Sequence, residues 1–592
     1  MEKELPPGEK RPIINCHTHL FTGDHVPPLL AKTVLPWPIY YLVSLSAVIP
    51  LFRFWYRGPY TWQFKPLFRK IRESWYHFKM TIHRTGLLRA GFILLSLLVT
   101  LSVFFILVNW LTAIWPLDAD TQEQVSSWKT WLEDHYLLYV PTTTAAKIFL
   151  VVLLFVLFKG GRRLVWLLLR RFWSVLGLLP GPQTAALARR YLTIGRFSFY
   201  KSQARIFGQL RDQYPPNSAF VVLPMDMEYM GAGGLKRGYR YHDQMQALAF
   251  IKQKPTYSTF IYPFVFADPR RFRQEGAAHF DYTPEGNAVV LKDCFIRRYI
   301  ENYRFSGFKI YPALGYYPFD ETLLPLWKYA ADHALPIMTH CIRGTIYYRG
   351  AKEKAWDYHP IIQQACGNGV YEALHLPERT HAAFCNNFTH PLNYLCLLKE
   401  PLLRQLVGAA KDPRIRALFG YTNAETKLTH SLEHLKICFA HFGGEDEWER
   451  FLESDRDNYS KQLVTHPLTG VSFLTNDRGD SAPGKLEQLW KYADWYTIIC
   501  SLMLQYDQVY ADVSYILHQE KILPLLKQTL ANKGLKEKIL FGTDFYVVRN
   551  HKSEKHLLAS MTAGLTEEEF DLLARINPRR FLYNHLHSDV SL

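Results

Sequence analysis

The sequence predicts an α/β protein: a (β/α)8 TIM barrel with a helical transmembrane hairpin inserted after its first strand. Three observations lead to this prediction. Short apolar, β-rich segments alternate with helical stretches along most of the 592 residues. Histidines and an aspartate stand where several of these segments end. Near the N-terminus, two long apolar runs are flanked by basic residues.

Composition indicates a folded chain with one membrane-like region. Hydrophobic residues make up 48% of the chain and charged residues 21%, which excludes a disordered or collagen-like protein. The eight cysteines include no CxxC pair and indicate reduced, cytosolic thiols. Most of the net charge of +16 lies beside the apolar runs, which favours anionic lipid over nucleic acid as a partner.

The predicted barrel has eight strands and is formed by two parts of the chain. Residues 1–21 hold the first strand, and residues 197–592 hold the other seven. The strands are predicted at residues 13–20, 219–229, 259–268, 308–311, 336–341, 436–443, 508–515 and 539–545. In such a barrel the active site lies at the C-terminal ends of the strands. We therefore expect the chemistry of the chain at those ends.

Residues 22–196 form the predicted membrane insert. Residues 90–117 carry no charge over 28 positions, more than the roughly 20 residues that cross a bilayer. A second crossing is predicted at 141–158, where Lys147 stands near one end and can reach the interface. The segment between them is acidic and the outer flanks are basic. The positive-inside rule then predicts a cell-membrane protein with two crossings and a cytoplasmic catalytic domain.

Two further apolar segments of the insert are predicted to lie on the membrane surface. Residues 34–55 contain three prolines, and residues 164–179 are interrupted by Arg170 and Arg171. Burial as amphipathic helices is the alternative for both, and spanning remains open for 34–55. The polar N-terminus is not followed by a secretory signal.

The strand ends carry a candidate metal site. His17 and His19 are two residues apart on the first strand and face the same side. His340, His441 and Asp544 end the fifth, sixth and eighth strands. Such a set of imidazoles and a carboxylate suits zinc or a similar divalent ion. The alternative is that each histidine is an ordinary core or surface residue, since the chain has 23.

The order of motifs resembles the metal-dependent amidohydrolase superfamily, particularly the amidohydrolase-related branch that includes aminocarboxymuconate-semialdehyde decarboxylase. The matching segments are NCHTHLF at 15–21, GFKIYP at 307–312, MTHC at 338–341, THPLNYLCLL at 389–398, KICFAHFGG at 436–444, VYADVS at 509–514, LFGTDF at 540–545 and INPRRFLYN at 576–584. The sequence departs from the family at Asn15, where an acid is usual, and at Thr543, where serine is. It also departs in the insert and in the separation of 101 positions from His340 to His441, which implies an extra elaboration over the mouth of the barrel.

The resemblance implies roles for these residues. His17, His19, His340 and Asp544 would bind one zinc ion, and a second ion is possible in binuclear relatives. His441 would then be a ligand of the second ion or, with one ion, an acid/base and polarising group. Asp544 would also orient the attacking water and take its proton. Lys309 would be a carbamylated bridging ligand or an ammonium that binds a substrate carboxylate, with a strand-end lysine of no catalytic duty as the alternative.

The expected function is a membrane-anchored hydrolase in which metal-bound hydroxide attacks an amide, ester or lactone carbonyl. The enzymatic alternative is a non-oxidative, metal-dependent decarboxylase. A third alternative is a membrane-bound pseudoenzyme that serves as an interaction module. Arg343 and Tyr347, in the loop after the fifth strand, suit a small substrate that bears a carboxylate or derives from the membrane, or else pack that loop. The substrate and the oligomeric state are left open.

Overall fold

The structure is a computed structural model that describes residues 10–35, 37–55, 66–112, 118–157, 163, 182–344, 346–453, 458–476, 479–482, 484–545 and 547–587. The chain divides into two compact units. The first is Met1–Pro59 with Ala186–Leu592, and the second is Tyr60–Ala185. Residues on either side of the second unit thus belong to one body, as expected for an insert. The insert boundaries of 22 and 196 remain a prediction.

Short parallel strands form the centre of the first unit. The strands are β1 (Ile14–Thr18), β2 (Ala219–Val222), β3 (Ile261–Pro263), β4 (Val265–Phe266), β5 (Tyr282–Glu285), β6 (Ala288–Leu291), β7 (Phe308–Ile310), β8 (Ile337–Ile342), β9 (Tyr358–Ala365), β10 (Tyr371–His375), β11 (Ile437–Gly443), β12 (Val509–Asp512) and β13 (Ile539–Leu540). One sheet has the order β1-β2-β3, and another has the order β13-β12-β11-β8-β7-β4. Every pairing within these two sheets is parallel. The chain therefore has a mixed α/β fold, while the strand assignment gives two sheets and not one closed barrel.

Backbone hydrogen bonds continue beyond the assigned sheets at two places. Phe264 separates β3 from β4, and its N–H donates to the Val222 carbonyl (3.0 Å). At the other end, Cys16 N–H donates to the Phe541 carbonyl (2.8 Å), and a parallel bridge joins Thr18 to Phe545. The first strand, β1, therefore lies beside the segment that follows the last strand, β13.

The strands that carry the candidate site are buried. Every residue of β1, β7, β11 and β12 is buried. Parallel strands are covered on both faces and so read as nearly continuous apolar runs, which is the pattern that these segments have. Several are shorter than predicted: 219–229 yields a strand of four residues, and 539–545 yields two. Most of the remaining residues of these two ranges are buried, although they lie outside the assigned strands.

Helices cover the strands of the first unit. They are α1 (Ile39–Leu42), α2 (Leu45–Trp55), α7 (Pro182–Phe197), α8 (Gln203–Arg211), α9 (Tyr241–Gln253), α10 (Pro269–Glu275), α11 (Phe295–Arg297), α12 (Leu324–Asp332), α13 (His381–Thr389), α14 (Leu395–Leu398), α15 (Glu400–Ala409), α16 (Pro413–Phe419), α17 (Glu445–Leu452), α18 (Asn458–Thr465), α19 (Lys485–Tyr492), α20 (Trp495–Gln505), α21 (Leu523–Ala531), α22 (Glu554–Gly564), α23 (Glu567–Asp571) and α24 (Asn577–Leu582). Two antiparallel hairpins, β5-β6 and β9-β10, were not predicted. The second lies in the long interval between His340 and His441, where the sequence predicts an elaboration.

The second unit is helical. Its helices are α3 (Pro66–Arg84), α4 (Gly86–Thr112), α5 (Ala119–Asp134) and α6 (Thr144–Leu157). A small apolar cluster packs α4 against α6 through Val103, Ile106 and Leu154. Among the described residues, α4 is the one helix long and apolar enough to cross a membrane, while α6 is shorter. Residues 36, 113–117, 158 and 164–179 of the predicted membrane segments lie outside the described residues.

Candidate metal centre

His17, in β1, and His19, just after this strand, are held with their Nε2 atoms directed to a common point. His17 Nδ1 donates to Asp512 Oδ2 (2.9 Å), and His19 Nδ1 donates to the Leu223 carbonyl oxygen (2.8 Å). A neutral imidazole whose Nδ1 carries the proton has a lone pair on Nε2. Both side chains are buried, and His17 Nε2 has no hydrogen-bond partner among the described residues. His17 and His19 therefore present two Nε2 atoms that can bind a metal ion.

Asp544 brings a carboxylate to these nitrogens. Its Oδ1 lies 3.2 Å from His19 Nε2 and 3.8 Å from His17 Nε2. With the protons on the Nδ1 atoms, a nitrogen lone pair and a carboxylate oxygen face each other, an arrangement that a cation stabilises. The ligand atoms of His17, His19 and Asp544 lie within 4.8 Å of one another. These three residues thus fit a divalent ion by their donor atoms and by their spacing.

A chain of hydrogen bonds fixes His340 and His441. Ser514 donates to Asp512 and accepts from His441 Nδ1 (2.9 Å). His441 Nε2 therefore accepts from His340 Nδ1 (3.1 Å), and the lone pair of His340 lies on its Nε2. That Nε2 is buried without a hydrogen-bond partner among the described residues. His340 thus offers a further ligand atom, whereas both nitrogens of His441 are occupied.

The His340 ring has a second support. It stacks on Tyr311, with ring centroids 3.8 Å apart and planes 12° from parallel. Burial, followed by the nearby His17, lowers the pKa of His441 to about 3, so His441 is neutral at pH 7. His441 also lies at a positive φ of 64°, as Asp544 does at 58°. Such backbone conformations are costly for residues other than glycine and occur often at functional strand ends.

Asp512 is a functional residue that the sequence analysis did not single out. Besides accepting from His17, it accepts from the backbone N–H of His441 (3.0 Å) and of Ser514 (2.9 Å). Burial raises the pKa of Asp512, but the nearby imidazoles of His17 and His441 and the hydrogen bonds from His17 and Ser514 together hold this pKa well below its usual value. Asp512 is also grouped with His17 and His441 as a second set of candidate ligands. Its position in the VYADVS motif was the signal that could have identified it.

Lys309 lies under the centre. Its side chain is fully buried on β7, and Nζ has no hydrogen-bond partner among the described residues. Burial lowers the pKa of Lys309 to about 8 against the opposing charges of Asp512 and Asp544. Lys309 is thus close enough for an electrostatic interaction with the carboxylates of Asp512 and Asp544. Both roles considered for it, carbamate ligand and substrate-binding ammonium, stay predictions.

A cavity of about 210 Å³ opens over the centre. His19, His340, His441 and Asp544 line it, together with the cationic residues Arg189, Arg190 and Arg343 and the acidic run Glu445, Asp446 and Glu447. Arg343 Nη2 is 3.0 Å from Glu447 Oε1, so these two charges compensate each other. Arg189 and Arg190 belong to α7, a helix that the sequence analysis assigned no site residues.

Tyr347, predicted to bind substrate, lies elsewhere. It is buried, and the guanidinium of Arg349 lies 3.7 Å from its ring centroid. Within the described part of the chain, neither Tyr347 nor Lys309 is among the residues that line the cavity. For Tyr347 the structure therefore favours the alternative that the residue packs its own loop.

A second buried network of hydrogen bonds involves Thr543, the residue before Asp544. Asn15 Nδ2 donates to Thr543 Oγ1 (2.8 Å), and Thr543 Oγ1 donates to Glu554 Oε2 (2.8 Å). Tyr214 OH donates to the same Glu554 oxygen (2.7 Å). Burial raises the pKa of Glu554 to about 7. The two positions that depart from the family motifs, Asn15 and Thr543, thus bond to each other and share this network.

Comparisons with known proteins give little further guidance. No protein-family model matches the chain, and no curated protein matches it. Among solved structures, the crystal structure of 2,6-dihydroxybenzoate decarboxylase complexed with 2,6-dihydroxybenzoate is similar at 13% sequence identity and a TM-score of 0.33. The match covers 65% of this chain and 89% of that chain. A likeness at this level carries no statement about function.

Proposed function

We propose that the chain is a divalent-metal-dependent enzyme of the amidohydrolase type, with one zinc ion as its metal. The observation that carries this proposal is the approach of His17, His19 and Asp544 around a common point. His340 Nε2 is a candidate fourth ligand atom. Nitrogen and carboxylate ligands in this number suit zinc. A second ion would use the group formed by His17, His441 and Asp512, and would replace hydrogen bonds that these residues now make.

We infer that the strands of the first unit close into a (β/α)8 barrel. The hydrogen bonds at Phe264 and between Cys16 and Phe541 support this inference, because they continue both sheets. A second support is a separate apolar cluster that takes residues from β1, β2, β8, β11, β12 and β13. Strands on opposite sides of a ring share such a cluster when their alternate side chains fill its interior.

The cavity supports a small, anionic substrate. Its volume suits a molecule of modest size. Arg190 stands near enough to His340 to lower the pKa of that histidine, after the larger effects of burial and of the nearby His441, Lys309 and His17. A guanidinium binds carboxylates through charge-assisted hydrogen bonds. We therefore propose that Arg190, with Arg189 at the same cavity, receives a carboxylate-bearing substrate, and that Arg343 joins them by exchanging its ion pair with Glu447 for the substrate.

Non-oxidative decarboxylation is the reaction that this cavity favours. In that reaction the bond between the substrate carbon and its carboxylate breaks, CO2 leaves, and the carbon takes a proton. A bound divalent ion would polarise a substrate oxygen and lower the pKa of a water molecule. Arg190 would orient the carboxylate, and Asp544 at the cavity wall would take a proton from water and pass it to the carbon. His441 would hold His340 in position through their hydrogen bond.

Hydrolysis of an amide, ester or lactone is the second candidate. It uses the same residues, with Asp544 taking a proton from water and His441 as the acid/base group that the sequence predicts. Both nitrogens of His441 are engaged by Ser514 and His340, so this role requires the imidazole to exchange one of these bonds. The occupied nitrogens are one reason to place decarboxylation first.

An assay for both reactions tests the proposal. Zinc-reconstituted protein is offered small aromatic and unsaturated carboxylates, with CO2 release as the readout, and a matched set of amides and lactones, with ring opening or acid release as the readout. We expect metal-dependent CO2 release that is lost in Asp544→Asn. Turnover of the amides or lactones alone would establish the hydrolase. No turnover in either set, by a protein that binds metal, would favour the pseudoenzyme.

Arg190→Gln tests the substrate class within that assay. We expect KM to rise about tenfold with little change in kcat, because a charge-assisted hydrogen bond to the substrate is lost. Arg205→Gln, an exposed arginine on α8, is the matched control. An unchanged KM in the Arg190 variant would remove the support for an anionic substrate.

We propose that the second unit attaches the enzyme to the cell membrane. The length and composition of α4, with 27 residues from Gly86 to Thr112, support this proposal, and so does the basic stretch before it. Two crossings would leave the catalytic unit in the cytoplasm. Retention of the chain in membranes after an alkaline carbonate wash is the expected result, and full release by that wash would contradict it.

A further inference from the structure

The helix α3, which precedes α4, separates apolar from charged residues. Leu67, Phe68, Ile71, Trp75, Phe78 and Ile82 follow one another at spacings of one, three and four residues. On an α-helix these positions occupy one stripe about 100° wide. The remaining positions are polar or charged, apart from Tyr76 and Met80. The helix is therefore strongly amphipathic.

The apolar stripe of α3 is not used in the core. No residue of this helix is buried. Leu67 is 66% exposed, Ile71 is 55% exposed and Phe78 is 48% exposed. Trp75 stacks beside Phe78 on the same stripe, with ring centroids 5.4 Å apart. An exposed apolar stripe of this length marks an interaction surface.

Cationic side chains border this stripe. Arg72 and Lys79 lie along one edge, Lys70 lies along the other, and Arg69 and Arg84 lie on the far side. Glu73, the one acidic residue of the helix, pairs with Arg69 (3.6 Å). The Lys79 ammonium lies 5.4 Å from the Trp75 ring centroid, so its stem follows the apolar stripe. Cations on both edges of an apolar stripe match the phosphates and acyl chains of a lipid surface.

The position of α3 in the chain favours the same partner. α4 begins at Gly86, two residues after α3 ends at Arg84. If α4 crosses a bilayer, α3 starts at the level of the headgroups. We propose that α3 lies in the plane of an anionic phospholipid surface, with Ile71 and Phe78 inserted among the acyl chains and Lys70, Arg72 and Lys79 at the phosphates. The inference rests on the proposed membrane attachment and adds an electrostatic contact that α4 does not provide.

Two labelling positions on α3 test this proposal in the full chain. Cys366 is the exposed cysteine, and the other seven are buried, so Cys366→Ser provides the background. Ile71→Cys and Glu73→Cys then carry the same fluorophore on opposite faces of one helical turn. The labelled chain is reconstituted into phosphatidylcholine vesicles with or without about 30% phosphatidylglycerol. A nitroxide-labelled phospholipid quenches from the bilayer, and acrylamide quenches from water.

In the anionic vesicles we expect lipid quenching at position 71 to exceed that at position 73 severalfold, and acrylamide quenching to show the reverse order. The difference should diminish in phosphatidylcholine and in the triple variant Lys70→Glu, Arg72→Glu, Lys79→Glu. Equal acrylamide quenching at both positions in anionic vesicles would overturn the proposal. Vesicle flotation distinguishes failure of the α3 proposal from failure of membrane attachment. A chain that floats with the vesicles but shows equal quenching is attached through α4 and refutes only the α3 proposal. A chain that does not float refutes both membrane proposals. Metal content measured on the same sample reports on the enzyme independently.

Discussion

Asp512 sets the direction of His17, and its replacement should weaken metal binding without unfolding the protein. In Asp512→Asn, an amide faces His17 Nδ1 in place of a carboxylate. The tautomer with its proton on Nδ1 and a lone pair on Nε2 is then no longer favoured. We expect a metal affinity about 10- to 100-fold lower, measured by competition with a chelator. Asp507→Asn, on a side chain that is 95% exposed, is the control. Equal affinities in the two variants would mean that Asp512 does not orient the ligand.

Glu554 should make the stability of the protein depend on pH. Burial raises its pKa from 4.5 to about 7 in the folded state, so the folded protein holds a proton that the unfolded chain releases. This contribution to the free energy of unfolding is present at low pH and is lost as pH rises through the folded pKa. The largest effect of such a shift is about 3 kcal/mol.

Glu554→Gln checks this expectation by denaturant unfolding at about pH 5 and about pH 8. The glutamine oxygen keeps the acceptor for Tyr214 and Thr543. The loss of stability between these two pH values should be smaller in the variant than in the wild type. An identical loss in both proteins would show that Glu554 is not the titrating group.

Residue types at strand ends could be predicted from the sequence, and their hydrogen-bond partners could not. The HxH pair and Asp544 meet as expected, because alternate residues of a strand share a face and the ends of parallel strands converge. Tyr347 and Lys309 were placed by motif position, and neither lines the cavity among the described residues. Whether a loop residue faces a cavity or its own loop depends on packing that spacing does not encode. Arg190 was missed for the same reason, since α7 reaches the cavity from a distant part of the chain.

At the scale of the elements, Gly542 allows β1 to approach the segment after β13. A Cβ at this position would lie 2.8 Å from His17 Cβ and 3.1 Å from Ser514 Cβ. Gly542→Ala should therefore displace His17, lower the metal affinity and cost about 1–3 kcal/mol of stability. Chelator competition and denaturant unfolding measure the two effects.

Gly208→Ala is the matched substitution on α8, where an added Cβ meets nothing within 4 Å. There we expect unchanged metal affinity and a gain of about 0.5–1 kcal/mol, because alanine favours the helix. The same affinity in both alanine variants would contradict the assigned contact between Gly542 and His17.

Element types could be predicted better than element lengths. Each predicted strand overlaps an observed one, because a buried parallel strand has a distinctive apolar run. The hairpin β9-β10 was missed, because its strands carry polar residues on exposed faces, although Gly367, Asn368 and Gly369 between them are a turn signal. Where a strand ends depends on its neighbours, as at β13, and a single sequence contains no information about them.

In the whole molecule, the candidate metal centre and the candidate membrane helices lie in different units of one chain. The first unit holds the buried histidines and carboxylates, and the second holds α4 and the basic, amphipathic α3. The basic residues near the apolar runs account for most of the net charge. A compact unit interrupted by a long insert was predictable, because candidate metal ligands lie on both sides of the insert in the sequence. Membrane crossing remains a prediction.

Metal content is the measurement that tests the account most directly. Full-length protein in mild detergent is analysed for metals per chain, beside His17→Ala, His19→Ala and, as a control, His77→Ala, His83→Ala on exposed positions of α3. We predict about one equivalent of zinc in the wild type and in the control, and almost none in the first variant, with circular dichroism showing that all three are folded. A folded wild type that takes up no metal after reconstitution, or an unchanged content without His17 and His19, would contradict the metal-dependent enzyme.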